Sequence, residues 1–549
     1  MRFLPVNLDM LMVELDDLPQ TLALLASLHA DPIDGIEEIV PAARTLLIRF
    51  RPARVAPAAL RARIGARRVD AVVERDATLV EIPVDYEGED LDDVARMLGI
   101  TREEVVRRHT GSDYTVAFTG FAPGFAYLTG GDASLNVPRR ATPRTRIPAG
   151  AVGLAGAFSG VYPQASPGGW QIIGITAVPM WDLAREVPAL LQPGFRVRFV
   201  DRAAMDAGAR ATAATTPAVP ATPAPPSAAT GAALEILATG VQALFQDTGR
   251  HGQAGQGVSA SGAMDRASLR AANRLVGNAG DAAAIEIANG GFELRCRGDA
   301  VVAVTGADAP LRLTTADGHP VPARGWEPIA LCDGDRLALG EPRAGIRSYL
   351  AVRGGFDIAP VLGSHASDTL ARVGPPAIAV GDRLPIGAVA RGAIVGAPEL
   401  PPADLPSTTE VVELDVVMGP RTDWFTPEAV ALLAGQVWRV TPQSNRVGLR
   451  LAGEVLLARA ITGELPSEGT ALGALQVPPS GQPVLFLADH PLTGGYPVIA
   501  CVATHHLDRA GQIPIGAGVR FRPIQPFAES FAAPVPAPSS ASVPSSESP

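Results

Sequence analysis

Apolar and polar residues change their spacing several times along the chain. Up to about residue 80, alternating runs such as TLLIRF (45–50) and LVEIPV (79–84) predict strands, because successive strand side chains face opposite sides. LPQTLALLASLHA (18–30) and PAALRARIGARR (57–68) instead space their apolar residues at helical intervals. A small α/β unit over residues 1–80 follows. LDDVARMLGITREEVVRRHT (91–110) predicts two short helices, with Thr101 capping the second and Glu104 completing a capping box. From Tyr114 to Asp201 the runs shorten between PG, GG and PAG turns, the grammar of a barrel or sandwich over residues 81–205.

Residues 206–233 carry almost no charge and no periodicity, which predicts an extended Ala/Pro linker. A flexible tether of that length reaches about 25 Å or more, enough to let the two halves pack together. A second β-rich region fills 234–526, and the Pro/Ser-rich residues 527–549 are expected to be a disordered tail. The halves echo one another. IPAG (147–150), GGWQIIG (168–174) and PGFRVRF (193–199) recur in order as PPSG (478–481), GGYPVIA (494–500) and GAGVRF (516–521). Two related β-barrels account for this, the alternative being chance likeness among glycine-rich turns. The expected fold class is mainly β with α+β parts.

A length of 549 residues is consistent with three or four folding units at about 150 residues each. A net charge of -10 argues against nucleic-acid binding. The scattered Cys296, Cys332 and Cys501 form neither a disulfide framework nor a zinc ribbon. Asp9 and Glu14 interrupt any signal-like N-terminus, and no run of about 18 apolar residues occurs, so a cytoplasmic protein outside the membrane is expected. All 46 basic residues are arginine. Mechanisms that need a lysine are thereby excluded, including a P-loop lysine, a Schiff base and covalent biotin on this chain.

No GxxxxGK[ST], HExxH or GxSxG string occurs, so the candidate chemistry lies in glycine-rich segments. In FTGFAPGFAYL (118–128), Pro123 and Gly124 sit among Phe121, Phe125 and Tyr127; this is either a ligand wall or a turn with core aromatics. Arg144, in the following basic loop, is placed to clamp an anion or to be solvated, and Pro167, Gly168, Gly169 and Trp170 complete this first-half cleft. QDTGRHGQAGQGVSASGAMD (246–265) holds Asp247, Arg250 and His251 in a loop that leads into a helix, where Asp265 is either catalytic or a cap. In the C-terminal part, Asn445, Arg446, Glu468, Gln476, Gly494, Gly495 and Tyr496 surround the pair Asp489 and His490. Asp489 and His490 are the leading acid/base candidates, because the first copy of the echo lacks both.

FAPGFAYL, the run from IPAGAVGLAGAF to SPGGW, QDTGRHGQAGQGVSASGAMD, SNRVGLRLAG, QVPPSG and TGGYP together resemble the family formed by the B and C subunits of 5-oxoprolinase. That family includes the sensor-kinase inhibitor and antagonist pair, the allophanate hydrolase subunits 1 and 2, and the carboxyltransferase region of urea carboxylase. The resemblance implies a B-type part (subdomains C and D) before the linker, a C-type part (subdomains A and B) after it, and cyclophilin-like β-barrels. It implies ATP-dependent opening of the 5-oxoproline lactam, with ATP and Mg2+ as cofactors and a separate A-type 5-oxoprolinase protein as partner. Arg250 and Arg446 would then meet phosphate, Gly494 and Gly495 developing negative charge, and Asp489 with His490 water or magnesium. Two alternatives stay open: carboxyl transfer from biotin on a separate carrier to urea or another amide, and non-catalytic binding of a sensor histidine kinase.

Overall fold

Four antiparallel strands open the chain, in the spatial order Arg2–Asn7, Met10–Glu14, Thr45–Phe50 and Ile36–Pro41. Period-2 alternation gives this sheet two apolar faces. Leu46, Ile48 and Phe50 pack in the core formed with the helices Leu18–Ala30 and Pro57–Gly65, whereas Leu47 joins Leu4, Met12 and Val40 against Ala471, Phe486 and Leu492. Burying a leucine such as Leu47 stabilises that junction by about 1.5–3 kcal/mol. The N-terminal unit therefore docks on the C-terminal part of the chain.

The computed structural model describes residues 1–70, 78–140, 142–205 and 231–532. The expected linker up to residue 230, and the tail from 533, lie outside the described residues. Two boundaries move. LVEIPV, grouped above with the N-terminal unit, is the strand Leu79–Val84 and opens the first barrel. The tail begins later than residue 527, because Ser530–Phe531 adds a strand to the N-terminal sheet, Ser530 pairing with Phe3.

Both halves contain a seven-stranded barrel of one topology. The first comprises Leu79–Val84, Tyr114–Thr119, Ala126–Thr129, Ala151–Ala155, Phe158–Val161, Gln171–Ile175 and Arg196–Asp201. The second comprises Val411–Met418, Trp438–Val440, Gly448–Ala452, Ala474–Gln476, Val484–Phe486, Val498–Val502 and Gly518–Gln525. Numbering strands by their order within each barrel, both run sixth, fourth, fifth, third, second, seventh, first. The seventh strand is parallel to the first in each, and an Asp85–Ile175 bridge joins the sixth strand to the first in the N-terminal barrel.

The sequence echo holds at GGWQIIG and GGYPVIA, which lead into the sixth strands, and at PGFRVRF and GAGVRF, which become the seventh. It fails at IPAG and PPSG. IPAG precedes a fourth strand and PPSG follows one; the counterpart of Gly150 (φ 80°) is Gly473 (φ 87°), each directly before a fourth strand in a left-handed turn that suits glycine. Between the barrels, a six-stranded and a five-stranded sheet face each other across one core that includes Leu234, Ile236, Phe245, Leu294 and Leu350. The helix Arg266–Val276 packs on this unit through Leu269, Ala272 and Val276.

Candidate functional site

The two halves meet where the glycine-rich loop after Thr119 enters the C-terminal half. Thr119 donates to the Ala254 carbonyl at 2.9 Å, Gly124 N–H to the Gln256 carbonyl at 2.9 Å, and Phe121 N–H to Thr493 Oγ1 at 3.0 Å. The approach needs glycine. A Cβ on Gly120 would stand 2.4 Å from Thr493 Oγ1. Phe121 is held at φ 65°, a conformation costly for a non-glycine residue and common where structure serves a site.

Behind this contact lies a cavity of about 310 Å³ that both halves build. The first half contributes Phe121, Pro123 and Pro167; the second contributes Asn445, Gln476, His490 and Tyr496, all seven expected from sequence. Its other polar lining includes Ser259, Asp368 and Arg450. Phe125, Tyr127 and Trp170 do not reach it. They form an aromatic core with Phe118 and Tyr162, for example with Phe125 and Trp170 centroids 5.3 Å apart at 88°. Gly124 faces Gln256, while Gly168 and Gly169 sit against Tyr162 and Pro143. Arg144 is tied to the buried Asp90 by two hydrogen bonds of 2.8 Å, so it clamps a carboxylate of its own chain.

Asp489, the leading catalytic candidate, is not in the cavity lining. It is 0% exposed and accepts five hydrogen bonds: Arg446 Nε and Nη2 at 2.9 Å, Ser261 Oγ at 2.6 Å, and Thr369 N and Oγ1 at 2.9 and 2.7 Å. Arg446 also donates to Glu286 and, at 2.7 Å, to the Gly262 carbonyl; Glu286 accepts from Tyr349 at 2.7 Å and Met264 N–H at 2.9 Å. Burial raises the Asp489 carboxyl, but Arg446, Ser261 and Thr369 overcome it and hold it below its ordinary value. A carboxylate with its acceptor sites filled joins barrel to two-sheet unit rather than handling protons.

Other expected site residues are similarly engaged. Asp265 caps the helix Arg266–Val276, accepting from Ser268 N and Oγ at 2.9 and 2.6 Å and from Gln512 at 2.8 Å. Asp247 organises a loop by accepting from Gly249, Ser364 and His365. Glu468 pairs with Arg421, which also holds Glu14 at 2.7 Å, so it anchors the N-terminal unit. Arg250 is the exception: it is 2% exposed and outside the cavity lining, and it donates through Nη2 to the Ala366 carbonyl, but its Nε and Nη1 are buried without a partner among the described residues, within reach of the charges of Asp368, Asp247 and Asp489. Gly494 pairs with Glu468 in a two-stranded ribbon, and Gly495 follows it; neither lines the cavity.

The residue missed from sequence is Asp368. It lines the cavity at 3% exposure, its Oδ1 taking the Leu370 and Ala371 N–H groups at 2.9 and 2.8 Å and its Oδ2 the Ser259 hydroxyl at 3.2 Å. Burial, then the negative charge of Asp489, pushes its carboxyl up to about 7. His490 stays neutral because burial outweighs the carbonyls of Leu487, Thr470 and Ala488; its Nδ1 donates to Leu487 O at 3.0 Å. Only a string of small residues around SHASDTL marked Asp368 in sequence. Glu286 was missed as well, although an acid inside the apolar strand AIEIA was a clearer signal.

Neither a triphosphate nor magnesium finds a matching site in this cavity. The one arginine in its lining is Arg450, since Arg446 is paired with Asp489 and Glu286 and Arg250 lies buried behind the lining. Among the described residues, Asp415, His505 and His506 bring ligand atoms within 4.8 Å of one another. Arg522 already donates to Asp415, and His506 Nδ1 accepts from Asp415 N–H at 2.8 Å, an imidazole-rich set unlike the oxygen ligands magnesium prefers. None of the three lines the cavity.

Comparison with known proteins matches this division of the chain. Residues 1–191 match the carboxyltransferase domain, subdomains C and D, and residues 256–523 match subdomains A and B. The chain is 37% identical to the C subunit of 5-oxoprolinase from Escherichia coli K12 over 294 residues, 52% of this chain and 90% of that protein. It is 48% identical to the B subunit of 5-oxoprolinase from Escherichia coli O157:H7 over 131 residues, 23% of this chain and 60% of that protein. The crystal structure of TTHA0988 superposes with a TM-score of 0.78 at 34% identity, covering 93% of this chain and 99% of that one. With both domain pairs matched in sequence and fold, the chain belongs to the carboxyltransferase-domain family of the 5-oxoprolinase B and C subunits, with both types fused in one polypeptide.

Proposed function

We propose that this chain supplies the B and C parts of an ATP-dependent 5-oxoprolinase, and that the cavity between its halves holds the lactam. The observation that carries the reading is a small, mostly apolar cavity, shared by both halves, with one buried carboxyl whose proton is held up to about neutral pH. About 310 Å³ lies at the lower end of the range for small-molecule sites. That volume suits a compact ring.

In this reading Arg450, exposed at the cavity edge, meets the substrate carboxylate, and the amides of Asn445 and Gln476 orient the lactam. Ring opening adds water to the carbonyl carbon, breaks the carbon–nitrogen bond and delivers a proton to the departing nitrogen. Asp368 is the acid suited to that delivery, because its environment retains a proton that an ordinary carboxyl would lose. ATP would be handled away from this cavity, with a separate A-type protein completing the enzyme in the cytoplasm.

The test combines the purified chain with a candidate A-type protein, ATP, magnesium and 5-oxoproline, and follows glutamate and ADP. Glutamate formed in step with ADP, and only with both proteins present, is the expected result. Turnover of urea with bicarbonate and a carboxylated biotin carrier, with none of 5-oxoproline, would instead select the carboxyltransferase alternative.

A further inference from the structure

A second, smaller cavity of about 120 Å³ adjoins the first and shares Ser259, His490 and Leu492 with it. Three parts of the fold build it: Asn7, Asp9 and Arg49 from the N-terminal sheet unit, His251 and Arg266 from the two-sheet unit, and Thr470 with Thr504 from the second barrel unit. It also shares Arg266, Ala488 and Thr504 with a recess of about 210 Å³ that includes Arg270.

Its basic groups have few partners. Among the described residues the Arg266 guanidinium makes no hydrogen bond or ion pair, and its Nε is buried and unsatisfied, as is Arg49 Nε. Such buried donors are costly unless something accepts from them. Arg49 has only loose contacts with Glu37 and Glu38, at 3.9 and 3.7 Å, and donates to His251 Nδ1 at 3.2 Å. That bond requires a neutral His251 with its proton on Nε2. Burial, then the charges of Arg49 and Arg266, favours the neutral ring. The acids nearby are Asp9 and Glu38 in the lining and Asp508, which accepts the Arg266 and Ala267 backbone N–H groups rather than the guanidinium.

We propose that this cavity is a subsite for one small tetrahedral oxyanion, inorganic phosphate or a phosphoryl group, held by Arg49 and Arg266. The volume accommodates an anion of that size and not a nucleotide, and its acceptor oxygens match the outer nitrogens of Arg266, which make no hydrogen bond or ion pair among the described residues, and of Arg49, whose carboxylate contacts are loose. The shared wall at Ser259 and His490 sets the anion beside whatever occupies the larger cavity. The subsite deepens the proposed function, resting on it only for the anion's role in an ATP-driven ring opening.

The experiment titrates inorganic phosphate into the full chain by calorimetry, beside Arg266→Gln, Arg49→Gln and Asp368→Asn, each checked for native circular dichroism. Saturable binding weakened at least tenfold by Arg266→Gln and by Arg49→Gln, but retained in Asp368→Asn, is expected. Absence of saturable binding to the wild type, or wild-type affinity in both arginine variants, would overturn the proposal. If Arg266→Gln fails to fold, Arg49→Gln decides alone. Phosphate binding that follows this pattern in a protein inactive on 5-oxoproline with every candidate A-type protein would uphold the subsite and sink the functional reading.

Discussion

Replacing Asp489 by Asn separates a structural role from a catalytic one. The change keeps the side-chain shape but turns one oxygen into an NH2 group. At the Oδ2 position that group would face Thr369 N–H and Arg446 Nε–H, neither of which can accept. At Oδ1 it would face Arg446 Nη2, with only the Ser261 hydroxyl able to turn round. Every orientation leaves a donor opposed to a donor, and Arg446 keeps Glu286 as its sole carboxylate partner. Breaking a buried ion pair from one side costs about 3–5 kcal/mol. With a urea slope of about 2–3 kcal/mol per molar, the midpoint should fall by about 1–2.5 M. Equilibrium urea unfolding of wild type and variant, followed by tryptophan fluorescence, measures this. An unchanged midpoint accompanied by abolished turnover would refute the argument and return Asp489 to the catalytic list.

Asp368→Asn should lower glutamate formation by about 10²–10⁴-fold with a smaller change in KM, measured by steady-state kinetics with the A-type protein present. The same variant should change the pH dependence of stability. Because the folded Asp368 carboxyl is raised from about 4 to about 7, its stabilisation is fully present below pH 4 and is lost as pH rises to 7, so thermal melting of the variant should lack that decline. Gly120→Ala, which forces a Cβ onto Thr493, should loosen the junction by about 1–3 kcal/mol, read as a lower melting temperature. Arg450→Ala should raise KM for 5-oxoproline about tenfold while leaving the melting temperature within about 2 °C, since its side chain is exposed.

The fold was legible wherever local spacing decides it. Alternation and turn residues marked most strands, Thr101 caps its helix by accepting Glu104 N–H at 3.2 Å, although the Glu104 carboxylate turns to Arg107 and Arg108 instead of completing the box, and the repeated GGWQIIG and GGYPVIA lead into equivalent strands. The match of IPAG to PPSG misled because a Pro-Gly turn looks alike on either side of a strand. Residues whose position follows from a loop, such as Phe121, Pro123, His490 and Tyr496, come together in the lining of one cavity. Polar residues chosen for their chemistry alone, such as Asp489, Asp265 and Glu468, proved to be satisfied by neighbours far away in sequence.

The sequence by itself determined the β-rich architecture, the two-part chain, the absence of any lysine chemistry and the family. These follow from composition, short-range periodicity and long ordered motifs. Which acid can hold a proton was decided only by the tertiary structure. Asp489 and Asp368 are the same residue type, yet the packing of a barrel on a two-sheet unit sets the Arg446 guanidinium in hydrogen-bond contact with the first alone, which depresses that carboxyl, while burial and the charge of Asp489 outweigh the more distant arginines and leave the other raised. Ionisation depends on burial and on charges within a few ångströms, and both are set by long-range packing that no local pattern encodes.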